Sequence, residues 1–131
     1  MTEDRRIAGI ELGGTKVVCG IATDAGEVLQ RTSIPTRGPV ETLDDVRNWL
    51  EPRLDGTIGV GIASFGPVYV DPASLRYGHI GATPKTAWRD FDLVGAIREW
   101  TELPLALDTD VNAAALAEIR WGAASGHHNV V

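Results

Sequence analysis

The apolar residues of this chain change their spacing at Val40. Before it, three segments, RRIAGIE, VVCGIAT and VLQRTSIPT, are separated by the turn-forming triplets Gly13-Gly14-Thr15 and Asp24-Ala25-Gly26. Runs punctuated in this way read as strands joined by hairpins. After the change, Val40, Leu43, Val46, Trp49, Leu50 and Leu54 recur at intervals of three, four or one, which traces one face of an amphipathic helix. TIGVGIAS, Thr57 to Ser64, is apolar at both parities, as in a strand covered on both faces. The stretch from Ser64 to Trp88 is turn-rich and reads as a long excursion holding a small hairpin. Asp90 or Asp92 caps a second helix with Leu93, Val94, Ile97 and Trp100 on one side; Leu103 to Leu107 is a fifth strand, and Val111 to about Trp121 a third helix. The order βββαβαβα predicts an α/β fold, a mixed five-stranded sheet with an antiparallel start and a parallel continuation, flanked by helices.

Such a chain is long enough, at 131 residues, to build a core without disulfides or metal. Its formal net charge of -6, with no basic run longer than Arg5-Arg6, argues against nucleic acid as a partner. No window reaches the roughly 18 apolar residues of a membrane span, and the N-terminus lacks the apolar segment of a signal peptide. The lone cysteine, Cys19, lies in an apolar run where a buried, inert thiol is expected. A cytoplasmic protein without membrane contact fits these features.

Ligands of such sheets collect at the carboxyl ends of strands, where three motifs fall. Glu11-Leu12-Gly13-Gly14-Thr15-Lys16 closes the first strand. It reads either as a two-residue Gly-Gly hairpin turn with a solvated lysine, or as a turn whose backbone N–H groups, Thr15 hydroxyl and Lys16 ammonium converge on a phosphate. The spacing of a Walker A loop is absent, and Gly59-Val60-Gly61 lacks the rest of a dinucleotide fingerprint. Ser64-Phe65-Gly66-Pro67 closes the fourth strand, either as a plain turn or as a place where Gly66 lets a sugar-sized ligand approach the backbone. In Thr83-Pro84-Lys85 with Trp88, the tryptophan anchors the next helix or forms an aromatic wall beside sugar hydroxyls. The third motif, Asp108-Thr109-Asp110 with Asn112, holds more polar groups than one helix cap needs. A carboxylate at Asp110 suits phosphoryl transfer, where an acceptor-only group orients the attacking hydroxyl and takes its proton; Asn112 suits a neighbouring hydroxyl.

GIELGGTK, GIASFGPV, ATPKTAW and DTDVNAAALAE occur in this order from Gly9 to Glu118. Together they resemble the ROK family of sugar kinases, most closely its bacterial fructokinase branch. The resemblance implies a lobe of the ribonuclease-H-like fold of actin-like ATPases, with ATP, Mg²⁺ and a hexose as ligands. It implies further that Gly13, Gly14, Thr15 and Lys16 form the ATP phosphate turn. Gly66, Pro67, Thr83, Lys85, Thr109 and Asn112 would bind the sugar, with Asp110 as catalytic base. Glu11, Thr109 and Lys85 stand where the fructokinase branch differs from many relatives, which favours fructose over glucose.

Family kinases are more than twice as long. The resemblance therefore makes residues 1–126 the N-terminal lobe and 127–131 the start of a second lobe, which would carry the adenosine motif and the structural zinc. His127-His128 alone suggests no metal site, and none is expected in this chain. Half of a cleft should be inactive alone. If the third helix packs against that second lobe, Ala113, Ala114, Ala115, Ala117, Val130 and Val131 would be exposed in this chain, and self-association as a homodimer is expected. Other readings are a glucokinase or amino-sugar kinase, a sugar-responsive repressor, a non-catalytic sugar-binding domain, and a nuclease using Glu11, Asp108 and Asp110 on Mg²⁺.

Overall fold

Side-chain alternation assigns the two faces of the sheet in the computed structural model, which describes residues 5–23 and 25–108. The strands are β1 (Arg6–Leu12), β2 (Lys16–Thr23), β3 (Val28–Pro35), β4 (Thr57–Ser64) and β5 (Leu105–Asp108). β1, β2 and β3 form an antiparallel meander, β4 runs parallel beside β1, and β5 runs parallel beside β4. The spatial order is β3-β2-β1-β4-β5, so β1 and β4 occupy the centre. The mixed five-stranded sheet expected from the sequence is therefore present.

One parity of each strand, including Ala8, Ile10 and Leu12 of β1, Val17, Cys19 and Ile21 of β2, and Val60 and Ile62 of β4, enters a single buried cluster. Both described helices, α1 (Pro39–Leu50) and α2 (Leu93–Arg98), join that cluster through Leu43, Val46 and Leu50 and through Leu93 and Ile97. The other parity contributes Ile7 and Ala22, packed with Ile58 in a separate small cluster. The expected third helix, residues 111–121, lies outside the described residues.

α1 starts where Pro39 pre-sets the helical φ in the first turn, and it gives way at Glu51–Arg53 to a 3-10 turn containing Pro52. Leu54 thus lies beyond the helix. Val40, counted on its buried stripe, is 65% exposed. Side chains of a first turn lean back toward the helix N-terminus, which carries Val40 past the edge of the core. Thr42 is buried in the stripe, and its hydroxyl accepts the Arg37 N–H at 2.7 Å. α2 is shorter than the periodicity suggested, and Trp100 follows it. Its cap is Asp92, which accepts the Gly95 N–H at 2.8 Å; Asp90 instead has φ 60° and pairs with Arg76.

The excursion after β4 does contain a small antiparallel hairpin, marked by bridges Val68–Ile80 and His79–Asp92. It requires Gly78, whose φ is +83° and where a β-carbon would stand 2.6 Å from Val94 Cβ. Trp88 pins the excursion to the body. Its ring is 2% exposed, meets Phe65 and Phe91 edge-on at centroid distances of 5.6 and 5.7 Å, and donates its indole N–H to the Arg37 carbonyl at 2.9 Å. Trp88 is thus the anchor of the two readings; a ring this enclosed cannot serve as an open wall beside a sugar.

Truncating this anchor removes the packing and leaves the Arg37 carbonyl without its donor. Trp88→Ala should lower stability to urea by about 3–5 kcal/mol and Trp88→Phe by less. Burial pushes the Cys19 thiol up from 9.0 to about 12. The folded state thus holds the proton that the unfolded state loses, and stability falls as pH rises through the window from 9.0 to about 12. Cys19→Ala should flatten this part of the urea-midpoint profile, and the native thiol should stay unreactive toward a disulfide reagent at pH 8 until the chain unfolds.

Candidate active site

Because β1, β4 and β5 are parallel, their carboxyl ends share one edge of the sheet. Leu12 stands opposite Ser64, and Ala63 opposite Asp108. The Phe65 N–H continues the β1–β4 ladder by donating to the Leu12 carbonyl at 2.9 Å. β3, antiparallel to β2, ends at the same edge with Pro35 beside Lys16. The Gly13–Lys16 turn, the Ser64–Pro67 loop and the end of β5 are therefore neighbours, although they are far apart in the chain.

The first turn differs in detail from a Gly-Gly hairpin. Leu12 pairs with Val17, and the Gly13 N–H donates to the Lys16 carbonyl at 2.9 Å, so the two loop residues are Gly14 and Thr15. Neither glycine has positive φ; those in this chain are Gly26, Gly56 and Gly78 among the described residues. Gly13 is required by space instead, since a β-carbon there would stand 2.7 Å from the Lys16 carbonyl oxygen. With Gly13 engaged, the backbone N–H groups of Gly14 and Thr15 and the Thr15 hydroxyl have no acceptor among the described residues. Exposed, unengaged donors on successive residues suit an anion's oxygens. The turn is held from behind by Thr36, whose hydroxyl donates to the Gly13 carbonyl at 2.8 Å and whose N–H donates to the Thr15 carbonyl at 3.0 Å. The sequence reading missed Thr36; its position, just ahead of the Gly38-Pro39 helix start, marked it only as part of a helix entry.

The Thr83–Trp88 loop is equally constrained. Thr83 is buried, and its hydroxyl oxygen accepts the Lys85 N–H at 3.3 Å. The Arg89 side chain donates from Nε to the Thr83 carbonyl at 2.8 Å, and the Trp88 N–H donates to the Lys85 carbonyl at 2.9 Å. Pro67, which follows a cis peptide at Gly66, accepts the Gly81 N–H through its carbonyl at 2.8 Å, tying the Gly66-Pro67 loop to the strand-like segment that leads into Thr83. Gly66, Pro67 and Thr83 are thus brought together. The side chain of Lys85 leaves this loop for the first turn, where its Cε lies 3.4 Å from the position of a β-carbon on Gly14. Thr109, Asp110 and Asn112 lie outside the described residues.

A depression of about 230 Å³ lies elsewhere, over Ile7, Gly9, Val18, Gly20 and Ala22 on the face of the sheet with the small cluster. Its lining is mostly apolar and includes none of the loop residues above apart from Glu11 of the first motif. The carboxyl edge, with its unengaged donors, is the better candidate on chemical grounds. Among the described residues no three His, Cys, Asp or Glu side chains lie together as metal ligands, and no helix is long and apolar enough to cross a membrane.

A family model described as the ROK family matches residues 7–131. This chain belongs to the ROK family. The match starts within β1 and includes every strand of the sheet. The chain is 42% identical over 125 residues to a fructokinase of Pediococcus pentosaceus, covering 95% of this chain and 43% of that protein. It is 33% identical over 138 residues to a glucokinase of Halalkalibacterium halodurans, covering 98% of this chain and 40% of that one. Among solved structures, a ROK family glucokinase from Streptomyces griseus in complex with glucose and AMPPNP superposes with a TM-score of 0.67 at 28% identity, over 93% of this chain and 38% of that one. The fold is accordingly that of the ROK kinases, and this chain spans about two fifths of the length of these relatives.

The two turn glycines should respond differently to substitution. Gly13→Ala meets backbone and should cost roughly 1–3 kcal/mol in urea unfolding. Gly14→Ala meets only the flexible end of Lys85 and should stay within about 0.5 kcal/mol of the parent.

Proposed function

We propose that this ROK family chain is the N-terminal lobe of an ATP-dependent hexose kinase, with fructose as acceptor and fructose 6-phosphate as product. The observation that carries the reading is the shared edge of β1, β4 and β5. It sets a turn with unengaged N–H donors beside the Ser64–Pro67 loop and the end of β5, the adjacency of donor and acceptor regions that phosphoryl transfer between two substrates needs. Greater identity to the fructokinase than to the glucokinase supports fructose, as do Glu11, Lys85 and Thr109 in the motifs.

In this reading the Gly14 and Thr15 N–H groups, the Thr15 hydroxyl and Lys16 hold the phosphates of ATP. Mg²⁺ bound with the nucleotide would neutralise charge on the phosphate oxygens; such an ion needs only one or two carboxylates besides those oxygens. Gly66 and Pro67 offer backbone to the sugar, and Thr83 holds the loop that borders it. Thr109 and Asn112 hold hydroxyls beside the one that reacts. Asp110 orients that hydroxyl and accepts its proton as the oxygen attacks the outer phosphorus of ATP, whose bond to the ADP oxygen breaks. Residues 1–126 would form the lobe and 127–131 lead into a second lobe, which would close the cleft, bind adenosine and carry zinc. A cytoplasmic homodimer without nucleic-acid partners completes the proposal.

Joined to the second-lobe sequence of a family kinase, the chain should release ADP faster with fructose than with glucose or mannose in a coupled assay. Asp110→Asn should lower kcat by roughly 10²- to 10⁴-fold with little change in fructose KM. The 131-residue chain alone should show no turnover. A preference for glucose would overturn the choice of sugar, and unchanged turnover in Asp110→Asn would overturn the catalytic base.

A further inference from the structure

Lys85 belongs by chain position to the loop that borders the sugar, yet its side chain crosses to the other motif. Its backbone is held on both sides, by the Thr83 hydroxyl at its N–H and by the Trp88 N–H at its carbonyl. From that fixed base the stem runs over Gly14, with Cε 3.4 Å from where a β-carbon would stand. The ammonium lies one bond beyond, at the turn whose Gly14 and Thr15 N–H groups have no acceptor among the described residues. Lys16, at the other end of the same turn, likewise has no anionic partner among those residues, nor does Lys85.

The Lys85 ammonium and two exposed backbone donors, none of them engaged with a carboxylate among the described residues, make a site that leaves donors unsatisfied until an anion arrives. A neutral hydroxyl would satisfy one of these donors and none of the charge. A phosphoryl group, with several oxygens and negative charge, satisfies both. A β-carbon on Gly14 would meet Lys85 Cε at an ordinary contact distance of 3.4 Å, so the stem lies directly against the turn.

We propose that Lys85 is a ligand of the phosphoryl group at the Gly14–Thr15 turn, gripping the outer phosphate of the nucleotide and the phosphate of the product, and is not a ligand of the sugar's hydroxyls. The assignment rests on the reading of that turn as a phosphate site. It makes Lys85 the cation that stays with the phosphoryl group as it passes from one oxygen to the other, because the residue is rooted in the acceptor loop and reaches the donor turn.

The test is direct binding to the 131-residue chain, read by calorimetry or by amide shifts, with inorganic tripolyphosphate and with fructose as separate probes. Lys85→Met keeps the stem and removes the charge; it should weaken tripolyphosphate roughly tenfold and leave fructose within about twofold. Lys85→Arg should restore most of the loss. Lys85 is exposed, and circular dichroism should be unchanged in both variants. Equal tripolyphosphate affinity in the parent and in Lys85→Met overturns the assignment while leaving the phosphate turn standing, as does a loss confined to fructose. Tripolyphosphate bound by neither protein overturns the phosphate turn, and the assignment with it.

Discussion

The parallel pairing of β1 with β4 is the constraint on which the rest of the molecule depends. Its register, with Ala8 opposite Val60, Ile10 opposite Ile62 and Leu12 opposite Ser64, places same-parity residues of both strands in one core. A slip by one residue would turn these side chains to the opposite face, so burial specifies the register closely. Orientation matters as much as register. An antiparallel β4 of eight residues would carry its closing loop to the far end of the sheet, about 25 Å away. Parallel pairing keeps Phe65 hydrogen-bonded to Leu12 and keeps the two loops at one edge of the sheet.

Around that edge, the groups that hold the loops are distinct from those that remain available. Trp88, Thr36, Arg89 and the Gly13 N–H are engaged with protein partners. The Gly14 and Thr15 N–H groups, the Thr15 hydroxyl and the two lysine ammoniums are not, among the described residues. Preorganised donors of this kind cost little rearrangement when an anion binds. The protein as a whole carries a net charge of -6, so any attraction for an anion would have to be local to this edge and not a property of the overall field.

Much of the fold was legible because burial writes itself into periodicity. The five strands, the long first helix and the small hairpin of the excursion follow from alternation, a 3.6-residue stripe and turn residues. The failures fall where periodicity is silent. Val40 satisfies the stripe but sits in a first turn that overhangs the core, and Asp90 and Asp92 are equivalent as caps until the chain's path gives one of them a positive φ. Thr36 was missed because a hydroxyl that braces a turn across the sheet has no local signature. Trp88 was left open between two roles, and only its enclosure by Phe65, Phe91 and the Arg37 carbonyl separates them.

The order of strands and helices and the family's motifs were determined by the sequence alone, since each is carried by residues adjacent in the chain or regularly spaced along it. Which donors of the first turn are already engaged, and that Lys85 reaches from the Thr83–Trp88 loop to Gly14, only the tertiary structure decided. Contacts between distant segments depend on where two loops land once the sheet has paired, and no spacing within either loop encodes the direction in which a long, flexible lysine will extend.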